Sequence, residues 1–139
     1  MAKKPNEQAR EFCLVAAKIA LDTHCTDVKV LDLQGMSPAT DFFVVATGTS
    51  NRQMRTVCDE ISQAARDLGF HKYGSAGYEQ AKWILLDFVD VVFHVFDEES
   101  RTYYDLENLW PDAIQIDVPP YIEPETPDSE DKSDTCAPR

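Results

Sequence analysis

Nowhere does this chain of 139 residues run the roughly 18 to 20 apolar residues that a membrane-crossing helix needs. The two lysines near its start are not followed by the apolar core of a secretion signal. Cysteine is sparse and unpatterned. Cys13, Cys25, Cys58 and Cys136 form no C-x-x-C pair, and none has a histidine at zinc-ligand spacing. Cys13 and Cys58 fall on or near apolar helical stripes, where a free thiol behaves as a small hydrophobe. Reduced thiols in a cytosol fit this usage better than a disulfide framework. Basic charge is also short: 13 Lys and Arg stand against 25 Asp and Glu, a net charge of −12. Diffuse phosphate binding is driven by cations displacing counterions, so direct nucleic-acid binding is disfavoured and a partner with a basic surface is favoured. No serine sits in a nucleophile elbow, and the glycines and lysine of a phosphate-binding loop are missing.

What is present suffices for one ordinary core, with 43% hydrophobic residues. Residues 7–23 carry Phe12, Val15, Ala16 and Ile19 at i, i+3, i+4 and i+7, one face of an amphipathic helix. A β-rich stretch, 28–33, follows. Residues 41–47 form an apolar run without alternation, as expected of a central strand covered on both faces. Gly48-Thr49-Ser50 turns the chain, Ser50 and Gln53 are spaced as a capping box, and Met54, Val57, Ile61, Ala64, Ala65 and Leu68 make the buried stripe of a second helix ended by Gly69. An edge strand is expected at 71–73 and a flexible turn at 74–77. A last helix over 97–110 carries Tyr103, Tyr104, Leu106, Leu109 and Trp110 and stops at Pro111. The domain is expected to occupy 1–112. Residues 113–139 hold seven acids against two bases, about −5 of the total, with five prolines, and are expected to be disordered.

Segments 83–88 and 91–96 read as a hairpin closed by Val89-Asp90, with 88 opposite 91, 86 opposite 93 and 84 opposite 95. One face is Ile84, Leu86, Phe88, Val91, Phe93 and Val95, wholly apolar and suited to packing on helices. The other carries Trp83, Leu85, Asp87, Val92, His94 and Phe96, too apolar for open water and too polar for a sealed core. Trp83, Leu85 and Phe96 are the expected anchors for a partner protein. Asp87, Glu79, Asp105 and Glu107 are the expected charge complement, with Tyr78, His94 and Tyr104 beside them. Asp87, Asp90 and His94 also raise a catalytic or metal reading. The pleat opposes it: Asp90 belongs to the turn, and Asp87 and His94 are diagonal, near enough only to share a hydrogen bond. Gly48-Thr49-Ser50 at a helix start would suit an anion, although helix capping explains it equally.

Asp41-Phe42-Phe43-Val44-Val45-Ala46-Thr47-Gly48-Thr49-Ser50, Trp83-Ile84-Leu85-Leu86-Asp87, Val92-Phe93-His94-Val95-Phe96 and Arg101-Thr102-Tyr103-Tyr104-Asp105-Leu106-Glu107-Asn108-Leu109-Trp110 together resemble the Iojap family, also called ribosomal silencing factors. The likeness runs over residues 7–110. It implies an α/β (α+β) fold, a mixed sheet with helices on one face and nucleotidyltransferase-like topology without that fold's metal site. It also implies a cytoplasmic protein that is not an enzyme and holds no cofactor or metal. Such a protein binds the large ribosomal subunit through its fourteenth protein, blocks joining of the small subunit and represses translation when nutrients are short. A homodimer of the free protein is compatible with this, and neither a membrane nor a specific nucleic acid is an expected partner. Two positions depart from the family pattern. Val89-Asp90 stands where Gly-Asp is usual, and Ala76-Gly77 precedes Tyr78 where Glu-Gly is usual, so any contact made by that acid is either lost or taken over by Glu79. The alternative is a nucleotidyltransferase-like enzyme or nucleotide-binding protein. Against it, about 39 positions separate Gly48 from Asp87, and the nearer acids Asp59 and Glu60 fall inside the second helix.

Overall fold

The computed structural model describes residues 5–38 and 40–118. The elements follow in the order α1 (Pro5–Asp22), β1 (Thr26–Asp32), β2 (Phe42–Thr47), α2 (Asn51–Asp67), β3 (Gly74–Ala76), β4 (Trp83–Asp87), β5 (Val91–Phe96), α3 (Glu98–Tyr104), a 3₁₀ turn (Leu106–Leu109) and β6 (Ile114–Ile116). The strands form one sheet in the order β3-β4-β5-β2-β1-β6. β2 and β5 run parallel at its centre, and every other neighbouring pair is antiparallel. This is an α+β fold with a mixed six-stranded sheet.

All six residues of β2 are buried, which is what its unbroken apolar sequence requires. Phe42, Val44 and Ala46 join the main core with Phe12, Ala16, Met54, Val57 and Ile61 from the two long helices. Phe43 and Val45 face the other way into a second cluster with Leu31, Leu33, Phe96 and Leu106. The apolar hairpin face is sealed as expected: Ile84, Leu86, Phe88, Val91, Phe93 and Val95 are all buried in the main core. The expected register holds, with Ile84 opposite Val95 and Leu86 opposite Phe93. Cys13, Cys25 and Cys58 are free and buried, and burial pushes the Cys25 thiol up to about 11 and Cys58 to about 12, so they serve as inert apolar filler. Cys136 lies outside the described residues.

Four expectations are corrected. The edge strand is Gly74–Ala76, not 71–73. Its position is fixed by Gly77, at φ +82, whose absent Cβ would lie 2.0 Å from the Trp83 carbonyl oxygen. Only glycine lets the chain pass there, and pairing starts just before it. The helix over 97–110 is broken, because Asp105 takes φ 49 and its amide closes the last turn on the Arg101 carbonyl. This break drops Leu106 into the second cluster while Tyr103 and Tyr104 stay outside. The domain does not end at 112: Ile114–Ile116 pairs with β1 and buries Ile116 in the main core. Leu68, expected in the α2 stripe, is exposed at the helix end. The expectation of a disordered acidic segment lies outside the described residues from 119 onward.

Candidate docking site

The second sheet face is divided, so helices do not cover one side of the sheet alone. Toward β1 and β2 the segment from α3 to Trp110 lies over it, and Leu31, Leu33, Phe43, Val45, Phe96 and Leu106 are buried beneath. Toward β4 it is open: Trp83, Leu85, Asp87 and Val92 are each half-buried. Phe96 is fully sealed at 0% exposure, which corrects its expected role as an anchor. Alternation along the strand assigned it to the right face. It carried no information that a later segment would close over that end.

Arg101 fastens the cover. Its Nη1 donates to the Asp27 carbonyl at 2.9 Å and to Thr47 Oγ1 at 2.7 Å, and its Nη2 to Glu107 Oε2 at 3.0 Å. Lys29 Nζ adds a second cation 3.5 Å from the same carboxylate oxygen. Burial alone would raise the Glu107 carboxyl, but the hydrogen bond from Arg101 and the two cations outweigh it and hold it below the ordinary range. Glu107 is thus occupied within the chain, which corrects its assignment to a basic partner. Nothing in the sequence marked Arg101 as the hub, since its partners lie at positions 27, 47 and 107.

His94 is also buried, at 3% exposure, and is not available for direct contact. It does not bond Asp87. Its Nδ1 accepts from the Trp83 indole N–H at 3.1 Å, while Asp87 Oδ1 accepts from the Val89 amide at 2.8 Å. Burial lowers the His94 pKa to about 3, so the ring is neutral, and with Nδ1 accepting, its proton sits on Nε2. That Nε2 is buried with no hydrogen-bond partner.

Aromatic contacts shape the open half. Trp83 stacks on Phe96 with ring centroids 4.9 Å apart and packs against Tyr104 at 4.6 Å. Trp110 meets Phe43 edge-on at 5.1 Å. Tyr104 is 50% exposed, and Tyr103 and Leu109 from the same cover segment are more exposed still. Asp105 is exposed and accepts a hydrogen bond from the Asn108 amide nitrogen. The open surface is therefore Trp83, Leu85, Asp87, Val92 and Tyr104, with Tyr103, Leu109 and Asp105 on the cover beside it. Tyr103 and Leu109 were legible only as members of an aromatic-rich stretch.

Tyr78 and Glu79 do not join this surface. Tyr78 packs on the helix-side core and donates its hydroxyl to the Asp59 carboxylate of α2 at 3.1 Å. Arg55 donates to the carbonyls of both residues, at 3.0 Å and 2.6 Å. They lie on the α2 side of the sheet edge, opposite Trp83.

At the α2 start, Ser50 Oγ accepts from the Gln53 amide at 3.1 Å, and Gln53 Oε1 accepts from the Thr49 amide at 2.6 Å, one residue earlier than a reciprocal box would have it. A cleft of about 300 Å³ opens there between Thr26, Thr47, residues 48–51, Asp97 and Glu98. The Thr49 amide is engaged by Gln53 and the Gly48 amide by the Phe96 carbonyl, and two acids line the cleft, so an anion is poorly served. Among the described residues no group of three or more His, Cys, Asp or Glu is placed to hold a metal ion, and no helix is long and apolar enough to cross a membrane.

A family model described as ribosomal silencing factor during starvation matches residues 6–138, reaching well past the likeness read over 7–110. A ribosomal silencing factor RsfS of Halalkalibacterium halodurans is 36% identical over 109 residues, covering 78% of this chain and 93% of that protein. The chloroplastic protein Iojap of Arabidopsis thaliana is 40% identical over 111 residues, covering 78% of this chain and 45% of that longer one. A crystal structure of a Chromobacterium violaceum protein superposes with a TM-score of 0.70 at 33% identity, covering 73% of this chain and 85% of that one. The chain belongs to the ribosomal silencing factor family, whose members regulate translation and are not enzymes.

Proposed function

We propose that this member of the ribosomal silencing factor family represses translation by steric occlusion. It docks on the large ribosomal subunit through that subunit's fourteenth protein, and its body occupies space the small subunit needs. The observation that carries this reading is the open half of the second sheet face. Half-buried Trp83, Leu85 and Val92 share this face with Asp87, Trp83 packs against exposed Tyr104, Tyr104 meets exposed Tyr103, and Asp105 and Leu109 are exposed on the same cover segment. An aromatic centre rimmed by acids suits a basic protein surface, the aromatics supplying affinity and the acids orientation and association rate. The net charge of −12 supports a protein partner over ribosomal RNA. No bond-making step is required, and the work is done in the cytoplasm. In the free protein the same greasy surface would be covered by a second copy, which the subunit displaces.

The test is co-sedimentation with purified large subunits, small subunits and joined ribosomes. Wild-type protein should travel with large subunits and suppress joining. Trp83→Ala should keep its far-ultraviolet circular dichroism and lose co-sedimentation, and a variant that binds as wild type would refute the assigned surface.

A further inference from the structure

His94 is buried among Phe43, Trp83 and Phe96, with ring centroids at 4.6, 5.9 and 6.3 Å. An imidazole in such a place is costly unless its polar atoms are used, because each leaves water without replacement. One of them, Nε2, has no partner at all. The other makes a single bond, to the indole N–H of the half-exposed Trp83. A phenyl ring would fill the same space without leaving a polar atom stranded. The core therefore gains nothing from the histidine that a hydrocarbon would not supply, and what the histidine adds is an acceptor beneath one tryptophan.

We propose that His94 is a positioning residue for docking: its Nδ1 fixes the indole of Trp83 in the rotamer that presents the ring to the partner. The inference rests on the reading above that Trp83 is the central anchor. The mechanism is preorganisation. A half-exposed indole resting on Phe96 and against Tyr104 has apolar contacts on its ring but only His94 to define the direction of its N–H. Holding that direction before encounter removes part of the ordering entropy that binding otherwise costs. The role demands one tautomer, with the ring proton on Nε2, since a proton on Nδ1 would oppose the indole donor.

The experiment uses the full chain and has three arms. In wild-type protein, long-range proton–nitrogen spectra should report the Nε2-protonated tautomer of His94, and the Trp83 indole N–H should resonate downfield and exchange slowly. In His94→Phe the indole signal should lose that shift and exchange faster, while large-subunit affinity falls about fivefold, the worth of one modest hydrogen bond. In His94→Asn, whose side-chain oxygen reaches the place of Nδ1, both the signal and most of the affinity should return. A purely structural histidine would show the opposite order, since Asn packs worse than Phe in an apolar site. An Nδ1-protonated ring in the wild type overturns the proposal without recourse to any variant. If Trp83→Ala abolishes binding while His94→Phe binds as wild type, this inference fails and the docking surface stands. If Trp83→Ala itself binds as wild type, both fall together.

Discussion

The buried imidazole gives the fold a measurable dependence on pH. In the folded chain His94 titrates at about 3, pushed down by burial, against 6.5 for an unburied histidine. Lowering the pH below 6.5 therefore adds a proton to the unfolded chain and none to the folded one, and stability falls as pH falls. The contribution is fully present above 6.5 and is lost progressively toward 3. Integrated between pH 7 and pH 5, it amounts to about 2 kcal/mol, nearly independent of where below 4 the folded value lies. With a urea slope of about 1.5 kcal/mol per molar, the midpoint should drop by roughly 1.3 M over that interval. The informative quantity is the difference between wild type and His94→Phe. The exposed His24 and His71 are common to both proteins and cancel. Glu107, also held below its ordinary range, starts from 4.5 and acts mainly below this window. Urea melts at pH 7, 6 and 5 should show the wild type weakening and the variant nearly flat. Parallel losses in the two proteins would refute the neutral, buried state of His94.

Phe96→Ala should cost about 3 to 5 kcal/mol, because the ring is fully sealed, and a thermal melt should fall accordingly; a small shift with lost subunit binding would restore Phe96 as an exposed anchor. Gly77→Ala should cost about 3 kcal/mol, combining a positive φ with a Cβ driven onto the Trp83 carbonyl, and faster amide exchange in β3 and β4 would localise the damage. Val89 sits at φ 75 in a three-residue turn closed by the Asp90 amide on the Phe88 carbonyl, so Val89→Gly should stabilise the chain by about 1 kcal/mol in a chemical melt. An unchanged or lower midpoint there would mean that the turn is relaxed. Arg101→Met should cost about 3 kcal/mol by stranding Glu107 under the cover, and adding Glu107→Met should recover much of it, as a double-mutant cycle will read.

How much of this was legible in the sequence depends on the range over which each interaction acts. Strand β2 was readable because both its faces are covered, which writes an unbroken apolar run. The hairpin register was readable because pleat alternation and a short connection fix it locally, even with Val89 at a backbone angle that glycine would take more easily. The α2 start was readable from Ser50 and Gln53. Strands β3 and β6 were not, since three residues carry too little pattern to be found alone. β3 is set by the approach of Gly77 to a backbone six residues on, and β6 by pairing with β1, some eighty residues earlier. The break at Asp105 was missed for a related reason. Its left-handed conformation serves Leu106, whose place is made by strands distant in sequence.

The same limit explains why the residues expected on one docking face lie at different depths in the structure. Pleat alternation correctly put Trp83, Leu85, Asp87, His94 and Phe96 on one side of the ribbon, but the depth of each residue beneath the later cover decides what it can do. A residue's side is a property of its own strand, whereas its depth is a property of whatever closes over it. The cover is held by an arginine whose partners span 80 positions, from Asp27 to Glu107, so depth leaves no local trace. The consequence for function is specific. On the docking reading proposed above, the mixed face divides into two layers, an outer one of Trp83, Leu85 and Tyr104 offered to the partner and an inner one of buried Phe96 and His94 beneath it. Substitutions in the outer layer should change affinity with little change in melting temperature. Substitution of Phe96 in the inner layer should change both, and for His94 affinity and stability move separately because its ring can be replaced by one that packs but does not accept.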